Sequence, residues 1–211
     1  MPMLYIDHLI YTIGNLPVTV KNIQFKSGSI NLIYGKNNVG KSRFFEALST
    51  CSTNNKVYFN KKILAQKDFA FFDSAYHSFF ELTGNELLFE HGGSMGKDKV
   101  IEMAIQFNIP LLNRIETYSN SIKKVVQFLW VVSFEKEIYI FDDLFSNLDE
   151  DNLNRVKDIL TNLRNEGKTI LISSNKMDFI ADIADDVFKL SSNNIEPYSD
   201  LVQYQLAEVS L

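Results

Sequence analysis

The stretch that decides the fold is SINLIYGKNNVGKSRFFEALS, residues 29–49. It opens with a short, almost unbroken apolar run, which is typical of a parallel strand buried on both faces. A segment with helix-forming character follows from Lys41 onward. Between the two lies GKNNVGKS, residues 35–42, which fills every fixed position of the pattern G-x-x-x-x-G-K-[ST]. Strand, glycine-rich loop and helix in this order predict an α/β domain with a phosphate-binding loop.

The chemistry of this loop explains its residue types. Gly35 and Gly40 let the backbone curl so that successive N–H groups face the phosphates, and the following helix adds partial positive charge at its N-terminus. We expect Lys41 to reach the β- and γ-phosphates and the Ser42 hydroxyl to ligate Mg²⁺. The predicted nucleoside triphosphate contacts are Gly35, Lys36, Asn37, Asn38, Val39, Gly40, Lys41, Ser42 and Arg43.

The remainder of the chain alternates strand and helix patterns. Residues 1–30 predict antiparallel strands, and helices are predicted for residues 99–108, 121–133 and 177–184. EIYIFDD (137–143), TILISSN (169–175) and DVFKL (186–190) predict further buried strands. Between the first two, apolar side chains recur at helical spacing on one face, at Leu153, Val156, Leu160 and Leu163. Together these patterns predict a parallel sheet with right-handed crossovers.

Composition narrows the possible partners. The 211 residues carry a net charge of −5, which argues against a nucleic-acid backbone as the main partner. A single cysteine, Cys51, excludes an intrachain disulfide. The N-terminus lacks the pattern of a secretory signal, and the longest apolar run, residues 125–132, falls short of the ~18 residues of a spanning helix. We therefore expect any membrane association to occur by docking to another chain.

The phosphate-binding loop does not by itself decide which class of nucleotide enzyme this is, and a GTPase is one hypothesis. NKMD, residues 175–178, matches the guanine-reading pattern N-K-x-D letter for letter and stands at a predicted strand end. A GTPase would also need a D-x-x-G switch after a strand, and LFSNLD follows Asp142 and Asp143 instead. The GTPase hypothesis is accordingly the weaker one, since short motifs often arise by chance.

The segment IYIFDDLFSNLD, residues 138–149, resembles the Walker B strand and D-loop of ABC-type ATPases. Asp142 takes the position of the Mg²⁺-associated aspartate and Asp143 that of the catalytic glutamate. Upstream, TYSNSIKK, residues 117–124, is similar to the family signature at the start of a helix. It is most similar to the variant Y-S-L-G-M-K-Q of bacterial peptide-antibiotic exporters and immunity transporters. Identical positions are Tyr118, Ser119 and Lys123; Asn120, Ser121, Ile122 and Lys124 differ.

Three further landmarks follow from the resemblance. Tyr11 suits the aromatic residue that stacks on adenine in this family. Asp73 stands where the Q-loop glutamine is expected, with Gln66 as a less favoured alternative. Asn175 occupies the position of the switch histidine.

The resemblance implies an ABC ATPase fold. In it an ATP-binding core with an antiparallel β subdomain (residues 1–72 and 134–211) carries an inserted helical subdomain (residues 73–133). It further implies two chains, alike or different, that enclose ATP and Mg²⁺ and drive an integral-membrane permease at the cytoplasmic face of the membrane, with a peptide as cargo. The implied Mg²⁺ ligands are Ser42, Asp142 and Asp73; the implied catalytic residues are Asp143, Asn175 and Asp73; and Ser119, Ser121 and Asp149 would contact nucleotide across the dimer.

The departures from the family pattern point to slow turnover. Asp143 is one methylene shorter than glutamate, and a displacement of about 1 Å can cost about 10²-fold in rate. Asn175 can hydrogen-bond a phosphate but carries no proton or positive charge. An ATP-binding regulatory subunit with little hydrolysis is therefore one alternative. A non-transport ABC ATPase is another, although no sustained heptads of the coiled-coil type lie between Ser42 and Tyr118.

Overall fold

The computed structural model describes residues 3–51, 55–73, 79, 81–191 and 194–198. Their β-strands and α-helices, in chain order, are β1 (Met3–Ile13), β2 (Leu16–Lys26), β3 (Ile30–Tyr34), α1 (Lys41–Thr50), β4 (Lys56–Phe59), β5 (Lys62–Ile63), β6 (Phe69–Phe72), α2 (Lys97–Gln106), α3 (Asn120–Val132), β7 (Ile138–Phe141), α4 (Glu150–Asn165), β8 (Thr169–Ser174), β9 (Asp186–Ser191) and β10 (Asn194–Pro197).

The strands form two sheets. The first has the order β2-β1-β4-β5 and is antiparallel, as predicted for the N-terminal part of the chain. The second has the order β10-β9-β3-β8-β7-β6, and its strands are parallel except for β10 at one edge. The carboxyl ends of β3, β7 and β8 consequently meet at one edge of the parallel sheet, where α/β proteins build their sites.

Alternating side chains explain why the parallel strands are apolar throughout. On β7, Tyr139 and Phe141 pack into a core under helices α2 to α4, whereas Ile138 and Ile140 face a second core under α1 and the antiparallel sheet. All four side chains are fully or almost fully buried. A strand with helices or a sheet on each face has no solvent side, so its sequence reads as a continuous apolar run.

The helices follow the sequence patterns with one exception. The periodic face of α4 is buried at Val156, Leu160 and Leu163, and the predicted helices near residues 99–108 and 121–133 are α2 and α3. The helix predicted for residues 177–184 is wrong. This segment forms successive turns in which Met177 and Ile180, both buried, each accept backbone hydrogen bonds from residues three and four positions ahead. The backbone hydrogen bonds to Met177 and Ile180 do not continue into the regular pattern of an α-helix.

Within the residues that the structure describes, none of the helices is long and apolar enough to cross a membrane. Helices α2 and α3 both fall between residues 73 and 133, the range predicted for an inserted helical subdomain. The boundaries of that subdomain stay a prediction.

Candidate functional site

The glycine-rich loop joins β3 to α1 and lines a cleft of about 520 Å³. Gly40 has φ +102°, and a Cβ atom added there would come within 2.5 Å of Ile13 Cδ1. An added Cβ at Gly35 would lie 2.8 Å from the carbonyl oxygen of Leu190. Both glycines are thus required by close packing, and at Gly40 also by a backbone conformation that side chains disfavour. The cleft is lined by Ile13, Gly14, Asn37, Asn38, Gly40, Lys41, Ser42, Arg43, Asp142 and Asp143.

Lys41 lies half-buried at the start of α1. Its Nζ donates to the carbonyl oxygens of Gly35 at 2.8 Å and Lys36 at 3.0 Å, so the side chain folds over its own loop. Burial lowers the pKa of the Lys41 ammonium, while Asp142 and Asp143 act in the opposite direction. The Lys41 ammonium therefore faces Asp142 and Asp143, the two carboxylates that the sequence places after a buried strand.

Asp142 is the buried carboxylate of the site, only 2% exposed. Ser173 donates its hydroxyl to Oδ1 of Asp142 at 2.5 Å, and the Ser42 hydroxyl also hydrogen-bonds this carboxylate. Burial raises the pKa of Asp142; the two serine hydrogen bonds oppose that rise, and Asp143 and Asp73 add to it. The predicted Mg²⁺ residues thus converge, with negative charge concentrated where a cation would offset it.

Asp143 follows directly and lines the same cleft. Its φ is +49°, in the left-handed region. The backbone N–H of Asp143 donates to Oγ of Ser173 at 2.9 Å. One buried serine on β8 therefore touches both residues of the carboxylate pair.

The end of β8 connects three parts of the site. The carbonyl oxygen of Ser174 accepts from the N–H of Gly35 at 3.2 Å, and Nδ2 of Asn175 donates to Oδ1 of Asn37 at 2.8 Å. Asn175 is exposed and stands beside the phosphate-binding loop, and its role at the switch position stays a prediction.

Tyr11 is placed differently from the prediction. Residues 9, 11 and 13 of β1 share one face, and Tyr11 is buried there with its ring 6.0 Å from that of Phe44 in an edge-to-face contact. Burial raises the pKa of its hydroxyl to about 12. The phosphate cleft is lined instead by Ile13, two residues further along the same face. A residue two positions along a strand keeps the same orientation, so sequence alone does not decide between them.

Asp73 follows β6 immediately. It lies close enough to Asp142 to raise the pKa of that carboxyl, and it borders a separate hollow lined by aromatic residues, including Phe72 and Trp130. Gln66, the alternative, lies in a short 3-10 turn on the surface and lines a different hollow. The structure therefore brings Asp73, rather than Gln66, towards the carboxylates. Residues 74–78 and 80 of the predicted Q-loop segment lie outside the described residues.

The signature-like segment forms the start of α3. Ser119 is the N-cap, and its hydroxyl accepts from the N–H of Ile122 at 3.3 Å. Ser121 donates to Oδ2 of Asp149 at 2.6 Å and accepts from Nδ2 of Asn152 at 3.0 Å. The hydrogen bond from Ser121 is the largest cause that lowers the pKa of Asp149, and hydrogen bonds from Asn152 add to it. Ser121 and Asp149 are thus hydrogen-bonded to each other, and neither they nor Ser119 line the cleft around Lys41.

The residues present fit a Mg²⁺–nucleotide. The loop has the two glycines that let its backbone close up, with Lys41 beside them. Ser42 and Asp142 supply two oxygen atoms in contact with each other, and Mg²⁺ is commonly held by one or two protein oxygens together with phosphates and water. Sequence reasoning missed Ile13, Ser173 and Lys124, whose contacts depend on the folded chain.

Comparison with solved structures identifies the fold. A nucleotide-free ATP-binding cassette from an ABC transporter superposes with a TM-score of 0.79 at 15% identity, covering 98% of this chain and 96% of that one. The chain has the ATP-binding cassette fold. A cassette in a dimeric post-hydrolysis state, bound to ADP and phosphate, gives a TM-score of 0.70 at 18% identity over 93% of this chain and 97% of that chain.

Sequence relatives carry ABC transporter names. An uncharacterized ABC transporter ATP-binding protein of Methanocaldococcus jannaschii is 32% identical over 89 residues, 42% of this chain and 34% of that protein. A Pyrococcus furiosus protein named "putative ABC transporter ATP-binding protein" is 28% identical over 74 residues, 35% of this chain and 28% of that protein. The matches span only about a third of these relatives. No family model matches the chain.

Proposed function

We propose that this chain is the ATP-binding subunit of an ABC transporter, which binds Mg²⁺–ATP and hydrolyses it slowly. The observation that carries the proposal is the meeting of three elements at one edge of the sheet: the glycine-rich loop with Lys41, the pair Asp142 and Asp143 after β7, and Asn175 after β8. The cassette fold and the partial sequence matches support the same assignment.

The mechanism follows from the residues at the cleft. The loop N–H groups and Lys41 bind and orient the triphosphate, and Ser42 and Asp142 hold its Mg²⁺. Mg²⁺, when bound, offsets phosphate charge and polarises the transferred group. Asp143 orients the attacking water, Asn175 donates an amide hydrogen bond to the γ-phosphate, and Asp73 adds an oxygen ligand for Mg²⁺ or water. Ile13, which lines the cleft, takes the place of the buried Tyr11 as the residue proposed to contact the base.

The partners are proposed on the same basis. Two chains, identical or different, would close on the nucleotides, so that Ser119, Ser121 and Asp149 of one face the nucleotide of the other. Closure and reopening would drive a separate integral-membrane permease at the cytoplasmic face of the membrane. The similarity of residues 118–124 to Y-S-L-G-M-K-Q supports a peptide or bacteriocin as the cargo, for export or immunity.

The test is to co-express the chain with the membrane-protein gene next to its own and to purify the complex in detergent. Co-purification and ATP hydrolysis that falls at least tenfold in Lys41→Ala and Asp143→Asn are expected. Asp182→Asn, which changes an exposed carboxylate paired with Lys157, is the matched control and should hydrolyse ATP normally. Failure of wild-type protein to bind ATP would overturn the proposal.

An ATP-binding regulatory subunit is the second candidate. It is favoured by Asn175, whose amide replaces an ionisable histidine, and by the engagement of Ser121 with Asp149 in the same chain. In that case wild-type protein would bind ATP, and Asp143→Asn would leave the slow turnover of the complex unchanged.

A further inference from the structure

Lys124, on the second turn of α3, has a side chain directed at the loop that follows β7. Its Nζ donates to the carbonyl oxygen of Asp143 at 2.7 Å, to that of Ser146 at 2.9 Å and to Oγ of Ser146 at 2.5 Å. An ammonium group has three donors, so all of them are used within one short loop. Such charge-assisted hydrogen bonds are about twice as strong as neutral ones.

The loop held in this way contains a disfavoured backbone conformation. Asp143 has φ +49° and Asn147 has φ +61°. A non-glycine residue keeps such a conformation only where its surroundings impose it. For Asp143 both backbone groups are occupied: Ser173 accepts from the N–H, and the carbonyl oxygen accepts from Lys124 and, at 3.1 Å, from the hydroxyl of Ser146.

Charge supports the same arrangement. Lys124 is half-buried, and the cost of burying its ammonium is opposed by Asp143 and, more weakly, by Asp142. Lys41 interacts with the same two carboxylates from α1. The carboxylate pair therefore faces one lysine from the phosphate-binding loop side and another from α3.

We propose that Lys124 is a positioning residue for ATP hydrolysis, which fixes the backbone of Asp143 and couples it to the start of α3. Ser121 stands three residues before Lys124 and bonds to Asp149, so the loop from Asp143 to Asp149 is held to α3 at two points. A movement of the signature-like segment is thereby passed to the residue that orients water. The catalytic part of this inference rests on the proposed function.

The experiment compares Lys124→Met, which keeps the length of the side chain without its charge, with Lys124→Arg and Ser146→Ala in the full chain. The readouts are amide hydrogen exchange, affinity for a fluorescent ATP analogue, and kcat and KM for ATP. Lys157→Met is the matched control, since Lys157 is a mostly buried lysine of α4 that pairs with Asp182 at 2.8 Å. Lys41→Ala reports separately on nucleotide binding.

For Lys124→Met we expect exchange at residues 144–147 to accelerate at least tenfold, nucleotide affinity to stay within twofold, and kcat to fall about 10- to 100-fold at unchanged KM. Lys124→Arg should recover part of kcat, Ser146→Ala should show a smaller change of the same sign, and Lys157→Met should leave all three readouts within twofold.

Unchanged exchange at residues 144–147 would overturn the proposal. So would a parallel loss of affinity and kcat with faster exchange throughout the chain, which indicates general destabilisation. If Lys124→Met does not fold, Ser146→Ala decides by the same exchange criterion. If wild-type protein binds ATP without hydrolysing it, the hydrolytic part of the proposed function fails, and exchange and affinity still decide the role of Lys124.

Discussion

Replacing Asp142 by asparagine should stabilise the nucleotide-free chain while impairing its response to Mg²⁺–ATP. The side chain is 2% exposed, and burial raises the pKa of the carboxyl. Its neighbours Asp143 and Asp73 act in the same direction, whereas the hydroxyls of Ser173 and Ser42 and the ammonium groups of Lys41 and Lys124 favour the charged form. Asparagine keeps an oxygen that accepts these hydrogen bonds and removes the buried charge.

The expected gain is about 1 kcal/mol in the free energy of unfolding, as is common when a functional group that costs stability is replaced. For a chain of 211 residues, this corresponds to a rise in Tm of about 2–4 °C. Mg²⁺–ATP at 100 times its Kd should stabilise the wild type by about 2.7 kcal/mol. The variant lacks the proposed Mg²⁺ ligand and should gain much less, so the order of the two Tm values should reverse on adding Mg²⁺–ATP.

The dependence on pH gives an independent check. Because folding raises the pKa of Asp142, the stability that this group contributes is present below its unfolded pKa and is lost as pH rises through its folded pKa. The advantage of Asp142→Asn should therefore be largest near neutral pH and shrink on acidification.

Thermal unfolding in EDTA and in Mg²⁺–ATP, at several pH values, measures all three effects. Glu116→Gln removes an exposed carboxylate whose partner Arg114 is also exposed, and should change Tm little in either condition. A Tm of Asp142→Asn in EDTA at or below that of the wild type near neutral pH would refute the reasoning. It would mean that Asp142 is stabilised as a charge by its surroundings.

Two further substitutions test the glycine-rich loop and the signature-like cluster. Gly40→Ala should lower nucleotide affinity at least tenfold in a titration with a fluorescent ATP analogue, because the φ of Gly40 is +102° and the new Cβ would lie 2.5 Å from Ile13. The control Gly96→Ala, where nothing lies within 4 Å of the new Cβ, should bind normally, and equal affinities of the two variants would contradict this account. Ser121→Ala should move the pKa of Asp149 back up towards its ordinary value in an NMR titration. On acidification, the variant should therefore lose the stability contributed by the Asp149 carboxylate at a higher pH than the wild type does. An unmoved pKa of Asp149 would exclude Ser121 as the main cause of its shift.

The parts of the fold and site that the sequence predicts are those encoded by contiguous residues. The glycine-rich loop lies between a strand and a helix in one unbroken stretch, and the buried strands are apolar because both of their faces are covered. Asp142 and Asp143 could be placed because carboxylates directly follow a strand of this kind. The helix predicted for residues 177–184 had no long periodic run of apolar residues. The carbonyl oxygens of its two buried residues, Met177 and Ile180, accept hydrogen bonds within turns instead of a regular helix.

The parts that escaped prediction depend on contacts between distant residues. Ser173 meets Asp142 across 31 positions, and Lys124 meets Asp143 across 19. Nothing in the local pattern distinguishes Ser173 from its neighbour Ser174, or Lys124 from Lys123, until the strand order is known. That Ile13 rather than Tyr11 lines the cleft has a related cause, since both share one face of β1 and only the packing under α1 shows which one is covered.

The constraint on Asp143 bears directly on the rate of hydrolysis. Its N–H is held by Ser173 and its carbonyl oxygen by Lys124, so the backbone has little freedom to move towards the phosphate cleft. The reach of the carboxylate is then set by the side chain, which is one methylene shorter than glutamate, and the backbone does not compensate for the difference. The phosphate-binding residues, by contrast, match their pattern in full. We therefore expect the chain to bind ATP well and to hydrolyse it slowly, which would lengthen the nucleotide-bound state of any complex that contains it.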